Sequence, residues 1–239
     1  GAPSVEGINF KAMKGQTIGV IGGTGSGKSS LVNLIPRLYD ATQGEVLVDG
    51  VNVKDYDIEA LRNKVGIVMQ KAVLFKGTIR ENMWMGKKGA TDEQIDEALE
   101  ISQSKEFVDS KQGRLDYVIE QGGKNLSGGQ RQRLTIARAI VRKPDVLILD
   151  DSASALDFAT DAALRKAIRG MNNSPTVFIV SQRAASLMYA DLIIVLDDGQ
   201  VAGMGTHDEL LANCEVYKEI YESQFKKADS EIGRASCRE

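Results

Sequence analysis

The chain has 239 residues, of which 42% are hydrophobic and 26% charged, and a formal net charge of −3 at pH 7. These proportions suit an α/β protein that buries most of its unfolded surface in one or two packed units, and a net charge without basic excess gives no sign of a general nucleic-acid or membrane binder. No run of about 18 apolar residues is present for a bilayer span, and no signal peptide is visible.

The first strand expected runs from Thr17 to Ile21 and leads into Gly22-Gly23-Thr24-Gly25-Ser26-Gly27-Lys28-Ser29-Ser30. A helix-like run, Leu31 to Leu38, follows. Glycines at 22, 25 and 27 let the backbone fold round an anion, so that successive N–H groups and the helix start hold phosphate oxygens. Lys28 would neutralise the β and γ phosphates, and the Ser29 hydroxyl would reach the accompanying Mg²⁺. With a strand before it and a helix after it, the stretch reads as a P-loop.

Residues Glu45 to Val53 alternate about Asp49-Gly50, which predicts a tight hairpin beside the P-loop strand. Val65 to Met69 reads as a short strand buried on both faces. Gln70 follows at its end, where an amide can reach a metal or a water beside the phosphates. Gly77 to Asn125 reads as a mostly helical insertion, marked by a capping box at Thr91-Asp92-Glu93-Gln94 and by Ile95, Ala98, Leu99 and Ser102 at helical spacing. Leu126-Ser127-Gly128-Gly129-Gln130 opens a helix carrying Leu134, Ala137, Ile140 and Val141. Ser127 is the expected N-cap, and Gly128 and Gly129 are expected to leave the helix N-terminus bare and able to hold a second phosphate. Arg131, Arg133, Arg138 and Arg142 on that helix read as a solvated face with ion pairs.

After the turn Lys143-Pro144-Asp145, Val146 to Leu149 is a buried parallel strand ending in Asp150-Asp151. Carboxylates at this strand end lie where open α/β sheets place their ligands, and Asp150 is the expected Mg²⁺ partner. A helix over Phe158 to Arg169, a strand over Thr176 to Val180, a helix over Ala184 to Tyr189 and a strand over Leu192 to Leu196 continue the β and α alternation of a mostly parallel sheet. An Asp198-Gly199 turn and a closing helix over Val216 to Phe225 end it. Cys214 and Cys237 are expected to be unpaired thiols, as in a reducing compartment. The closing segment, Ile232 to Glu239, reads back as ATC GGA AGA GCG TCG TGT AGG GAA, one frame of a short-read sequencing adapter. The tail 227–239 is therefore expected to be partly non-native, a point that resequencing the locus decides.

Taken together, Gly22 to Ser30, Gln70, Leu126 to Gln130, Leu147 to Asp151 and Ser154-Ala155-Leu156-Asp157 resemble the nucleotide-binding domain of an ABC transporter, over nearly the whole chain to about Lys226. Gly22 to Ser29 looks like the Walker A loop, Gln70 the Q-loop, Leu126 to Gln130 the signature motif, Leu147 to Asp150 Walker B, and Ser154 to Asp157 the D-loop. Leu74 to Asn82, Glu120 to Gly123 and Gly205 to Leu210 resemble the exporter branch. The resemblance implies a P-loop NTPase core of the ABC type, with a mostly parallel sheet, an antiparallel β subdomain and an inserted helical subdomain. The core would be 1–76 and 142–226, with the helical subdomain and signature over about 77–141. It also implies ATP and Mg²⁺ as cofactors, with Ser29, Gln70 and Asp150 toward the metal. A head-to-tail dimer is implied, each ATP lying between one chain's Walker A and the other's signature. Six membrane helices ahead of such a domain, a place on the cytoplasmic face of the cell membrane, and an adenine-stacking aromatic upstream of Gly1 belong to the same expectation. A soluble member acting on DNA or ribosomes is disfavoured, because the exporter-type segments would have no purpose there.

Two positions depart from that pattern. The family's Glu after the Walker B aspartate is Asp151 here, shorter by about 1.5 Å. The family's switch His is Gln182, and the only histidine, His207, lies in the Gly205-Thr206-His207 segment. Asp151 and Gln182 together look like the degenerate subunit of a heterodimeric exporter, slow at its own site while its intact signature completes the partner's. The alternative is a nucleotide-holding regulatory subunit without significant hydrolysis.

Overall fold

The computed structural model describes residues 4–152 and 154–224. A six-stranded sheet forms the centre, in the order β10-β9-β1-β8-β7-β4. Its strands are β1 (Thr17–Gly22), β4 (Val65–Val68), β7 (Val146–Asp150), β8 (Thr176–Val180), β9 (Leu192–Asp197) and β10 (Gln200–Gly205). All neighbours are parallel except β9 and β10, which close as an antiparallel edge pair about Asp198 and Gly199.

Alternation along the strands divides the core into two. Ile18, Val20, Ile148, Phe178, Val180, Ile194 and Leu196 pack with Leu31, Val32 and Leu61 on one face. Ile21, Leu147, Leu149, Val177, Ile179, Ile193 and Val195 pack with Leu134, Ile136, Leu164 and Ile168 on the other. Both faces are apolar because helices cover both, and a one-residue slip in register would exchange the two sets.

Helix α1 (Lys28–Asn33) is shorter than expected and ends before Leu38. Pro36 lacks an amide proton and disfavours helix in the residue before it, and Arg37 takes a left-handed φ of 52°. The hairpin forms about Asp49-Gly50, but β2 (Leu47–Val48) and β3 (Val51–Asn52) make a sheet of their own instead of pairing with β1. They reach the core through Val48 and Val53. Helix α2 (Ile58–Lys64), capped by Asp57, leads into β4, which stops at Val68 and leaves Met69 exposed.

Between β4 and β7 lie α3 (Ile79–Trp84), α4 (Asp92–Ile101), α5 (Lys105–Asp109) and α6 (Gly128–Ile140). The first two begin with capping boxes at Thr78/Glu81 and Thr91/Gln94. A short antiparallel pair, β5 (Gly77–Thr78) with β6 (Val118–Ile119), ties the two ends of this insertion together. Helix α7 (Phe158–Arg169) follows, capped by Asp157.

The expected helix over Ala184 to Tyr189 is a single 3₁₀ turn, Ala184–Ser186. This segment connects β8 to β9 across β1, and a Cβ at Gly19 would lie 3.2 Å from Leu187, so there is little room above the strand for a wider coil. The chain ends in α8 (His207–Asn213) and in α9, helical over 215–224; Phe225 and the tail lie outside the described residues. Cys214 is a buried free thiol, and Cys237 also lies outside them.

Candidate functional site

Four chain segments meet at the C-terminal ends of the parallel strands. The loop after β1 carries Gly22 to Gly27, β7 ends at Asp150, β8 lies between them and leads to Ser181 and Gln182, and β4 leads to Gln70. Sheet order alone therefore brings together residues separated by more than a hundred positions.

The loop after β1 needs glycine at its first position. A Cβ on Gly22 would sit 2.2 Å from the Leu196 carbonyl and 2.5 Å from Ser26 Oγ. Gly27 takes a φ of 92° as the N-cap of α1, where no side chain caps the helix. The α1 start is therefore open, with its amides and dipole unopposed by any carboxylate of its own first turn. Lys28 folds back over the loop, donating from Nζ to the carbonyls of Gly22 (2.9 Å) and Gly23 (2.6 Å) and to Ser26 Oγ (3.4 Å). Burial lowers its pKa, against the pull of Asp150 and Asp151. Thr24 and Gly25 at the loop tip are exposed, and Ser26 is buried.

Asp150 is buried at the end of β7. Burial raises its pKa, Asp151 adds to the rise, and hydrogen bonding from Ser29 together with the charge of Lys28 opposes it. The residues fit a divalent cation: a desolvated carboxylate beside a hydroxyl is an oxygen donor set that a hard cation would satisfy. Ser29, Asp150 and Gln70 are the residues that would hold it. Ser30 continues α1 behind them.

Asp151 departs from the strand with a left-handed φ of 46°, its amide donating to the Val180 carbonyl at 2.9 Å. Its carboxylate accepts from Gln70 Nε2 at 3.1 Å. The Ser154 hydroxyl donates to the Asp151 carbonyl at 2.9 Å, fixing the turn that follows. Gln182 is exposed one residue beyond the buried Ser181, whose Oγ accepts from the Arg183 amide at 2.9 Å.

The start of α6 is not bare, contrary to expectation. Ser127 Oγ accepts from the Gln130 amide at 3.2 Å, and Gln130 Oε1 accepts from the Ser127 amide at 3.1 Å. This reciprocal box occupies two of the helix-start donors, and Gln130 three residues after Ser127 is its sequence signal. The amides of Gly128 and Gly129 are outside the box. A Cβ on Gly129 would come 3.3 Å from the Ala155 carbonyl, so the Ser154 to Asp157 turn lies against this helix start. Leu126 is buried ahead of it and Leu156 packs against the core.

The four arginines of this helix also differ from the solvated, ion-paired face expected. Each is half-buried and donates to a backbone carbonyl: Arg131 to Leu126 (2.8 Å) and Gly123, Arg133 to Gln103 (2.6 Å), Arg138 to Val73 (3.0 Å), Arg142 to Arg62 (2.8 Å). Burial lowers the pKa of Arg133, Arg138 and Arg142. Helix periodicity placed them at the rim of the buried face, where long side chains satisfy carbonyls that short loops leave unpaired. Sequence reading had no signal for those partners.

Comparison with known proteins gives the family and the fold. The family described as ABC transporter matches residues 5–154. An uncharacterised ABC transporter ATP-binding protein, YfiB, of Bacillus subtilis (strain 168) is 45% identical over 94% of this chain and 39% of its own length. A provisionally assigned multidrug export ATP-binding/permease protein of Staphylococcus aureus (strain NCTC 8325 / PS 47) is 40% identical over 93% of this chain and 39% of its own. Among solved structures, a bacterial Atm1-family ABC exporter with ATP bound superposes with a TM-score of 0.87 at 32% identity, covering 92% of this chain and 39% of that one. The chain thus spans about two fifths of the length of the relatives it matches.

Proposed function

The chain belongs to the ABC transporter family of ATP-binding proteins, and from that premise we propose that it is the ATP-binding domain of an exporter, closing head-to-tail with a second half-transporter round ATP and Mg²⁺. Its fold is the α/β P-loop fold of ABC ATPases, and no described helix is long and apolar enough to cross a membrane. Membrane domains of the same transporter would be its other partners, at the cytoplasmic face of the cell membrane. Met69, Val73, Phe75, Trp84 and Met85 support that reading, because they leave apolar side chains exposed round Gln70 and the inserted helices. The Gly122 amide donates to the Leu74 carbonyl at 3.1 Å, which joins the Glu120 to Gly123 loop to the same surface.

Within this reading Gly22 to Ser30 bind the triphosphate, Lys28 neutralising the β and γ phosphates, and Mg²⁺ held by Ser29, Asp150 and Gln70 would add further charge neutralisation. Lys28 exchanges loop carbonyls for phosphate oxygens. Asp151 orients the attacking water, and Gln182 donates to the γ-phosphate without the charge an imidazolium would carry. Leu126 to Gln130 and Ser154 to Asp157 face the partner's nucleotide. The observation that carries a slow own site is the Gln70–Asp151 hydrogen bond. The carboxylate that should hold water is short and already engaged by the amide beside it. A base must come within about 3 Å of its water, and a misplacement of about 1 Å costs on the order of 10²-fold in rate.

The domain limits proposed are 1–76 and 142–226 for the core and about 77–141 for the helical subdomain. A heterodimer follows from the asymmetry between a weakened own site and an unaltered signature. Trapping ATP separately at each site of the mixed dimer tests it: turnover chiefly at the partner's Walker site is expected, and equal turnover at both ends the proposal. A regulatory subunit that only holds nucleotide is the second reading, favoured by the same Gln70–Asp151 contact.

A further inference from the structure

Gln182 is exposed on a short turn, and an exposed side chain on such a turn points reliably only if its backbone is held. The holding group comes from the far end of the described chain. Gln224 on α9 donates from Nε2 to the Gln182 carbonyl at 2.6 Å, and its Oε1 accepts from the Ala184 amide at 2.9 Å. One carboxamide thus grips the backbone on both sides of Arg183, as a neighbouring strand would. Only this orientation of the amide satisfies both contacts.

Helix α9 is itself anchored. Tyr217 is fully buried in the core, and its hydroxyl lies 2.8 Å from Nδ1 of His207 on α8. The His207 ring also packs against Tyr221, with centroids 5.3 Å apart. Gln224 lies two helical turns beyond Tyr217, so its reach toward 182–184 is set by a rigid element. On the other side, Ser181 is pinned by the hydrogen bond its amide donates to the Val20 carbonyl at 3.1 Å. Val20 lies in β1, immediately before the phosphate loop.

We infer that Gln224 is a positioning residue: through the backbone of Gln182 and Ala184 it aims the Gln182 side chain at the γ-phosphate. This rests on the reading of Gln182 given above. It also gives α9 a part in nucleotide sensing, because a displacement of that helix would release the turn between the phosphate loop and Asp150.

The test is titration of the chain with MgATP and MgADP, reading the ratio of the two affinities, in Gln182→Ala, Gln224→Glu and the double variant. Gln224→Glu keeps an acceptor for the Ala184 amide and sets a second acceptor against the Gln182 carbonyl. The ATP-over-ADP preference is expected to fall about 10- to 100-fold in each single variant, as for loss of one hydrogen bond to a charged group, and no further in the double variant. An unchanged ratio in Gln182→Ala sinks the reading of Gln182 and the positioning role with it. A lowered ratio there beside an unchanged one in Gln224→Glu overturns the positioning role alone, and so does multiplicative behaviour of the double variant. Amide exchange checks the grip itself: Ala184 should exchange faster in Gln224→Ala while Ile179 stays protected, and an unaltered Ala184 rate refutes the contact.

Discussion

The starts of α1 and α6 offer the same backbone chemistry in two different conditions. At α1 the cap is a glycine with a left-handed backbone, no side chain competes for the first amides, and a lysine waits over the loop carbonyls. At α6 the cap is a serine locked to Gln130, two donors are already occupied, and the neighbouring charges are arginines turned toward backbone carbonyls. No hydrogen bond or ion pair joins the two among the described residues. The first is built to be completed by a ligand and nearby carboxylates. The second is stable alone, and only its two glycine amides remain to be offered outward. That difference is what a shared site would require of one chain: a half that waits for nucleotide and a half that needs none to stay folded.

The largest way to sharpen this contrast is to restore the missing methylene. Asp151→Glu should raise hydrolysis at this chain's own site by on the order of 10²-fold in the assembled dimer, because the carboxylate regains its reach. Phosphate release from a dimer whose partner site is disabled measures it. An unchanged rate would make the first cradle a holding site only.

Next in size is Lys28→Ala. It removes the charge from the first cradle alone, so MgATP affinity should fall about 10- to 100-fold, equivalent to about 1.5–3 kcal/mol for hydrogen bonds to a charged group. In the proposed dimer, nucleotide held by the partner's P-loop against Ser127 should keep its affinity, since α6 lends it no lysine. Equal losses at both places would mean that the two cradles act as one.

Breaking the second cradle should be milder. Ser127→Ala removes one half of the capping box and should lower unfolding free energy by about 1 kcal/mol in urea titration. Gln130→Ala should cost less, since the cap oxygen remains. A loss well above 2 kcal/mol would show that Ser127 does more than terminate its own helix.

How far the sequence carried these two regions follows from how local each signal is. Gly22 to Ser30, the hairpin about Asp49-Gly50, the Thr91 box and the alternating strands were legible because each depends on neighbours a few residues away. The Ser127 cap was legible for the same reason, and only its reciprocal half, Gln130 three residues on, goes beyond that reading and leaves the helix start less bare than its two glycines suggest. Contacts made only by topology could not be read. Gln70 meets Asp151, Arg138 meets Val73 and Gln224 meets Gln182 because strand order and helix packing bring distant segments together. The short helix after β8 was overextended for the same reason, its length being limited by the close approach of Leu187 to Gly19.

The smallest expected effect separates the cradles by pH. Burial raises the pKa of Asp150 above the ordinary 3.8, so between 3.8 and its folded value the native chain binds more protons than the unfolded one, and stability falls as pH rises through that window. Above it the cost of the buried charge is fully present. Asp150→Asn should therefore raise the melting temperature of the ligand-free chain at pH 7, with the gain shrinking as pH falls and vanishing below 3.8. Lys28 shifts downward through burial, so it adds no slope in that acid window. MgATP should reverse the order of the two melting temperatures at pH 7, because the cation turns the costly carboxylate into a ligand that asparagine cannot match. The same substitution design has no counterpart at α6, whose first turn carries no acidic residue. A stabilising effect of Asp150→Asn that persisted unchanged at pH 3 would show that packing, and not charge burial, sets the first cradle's strain.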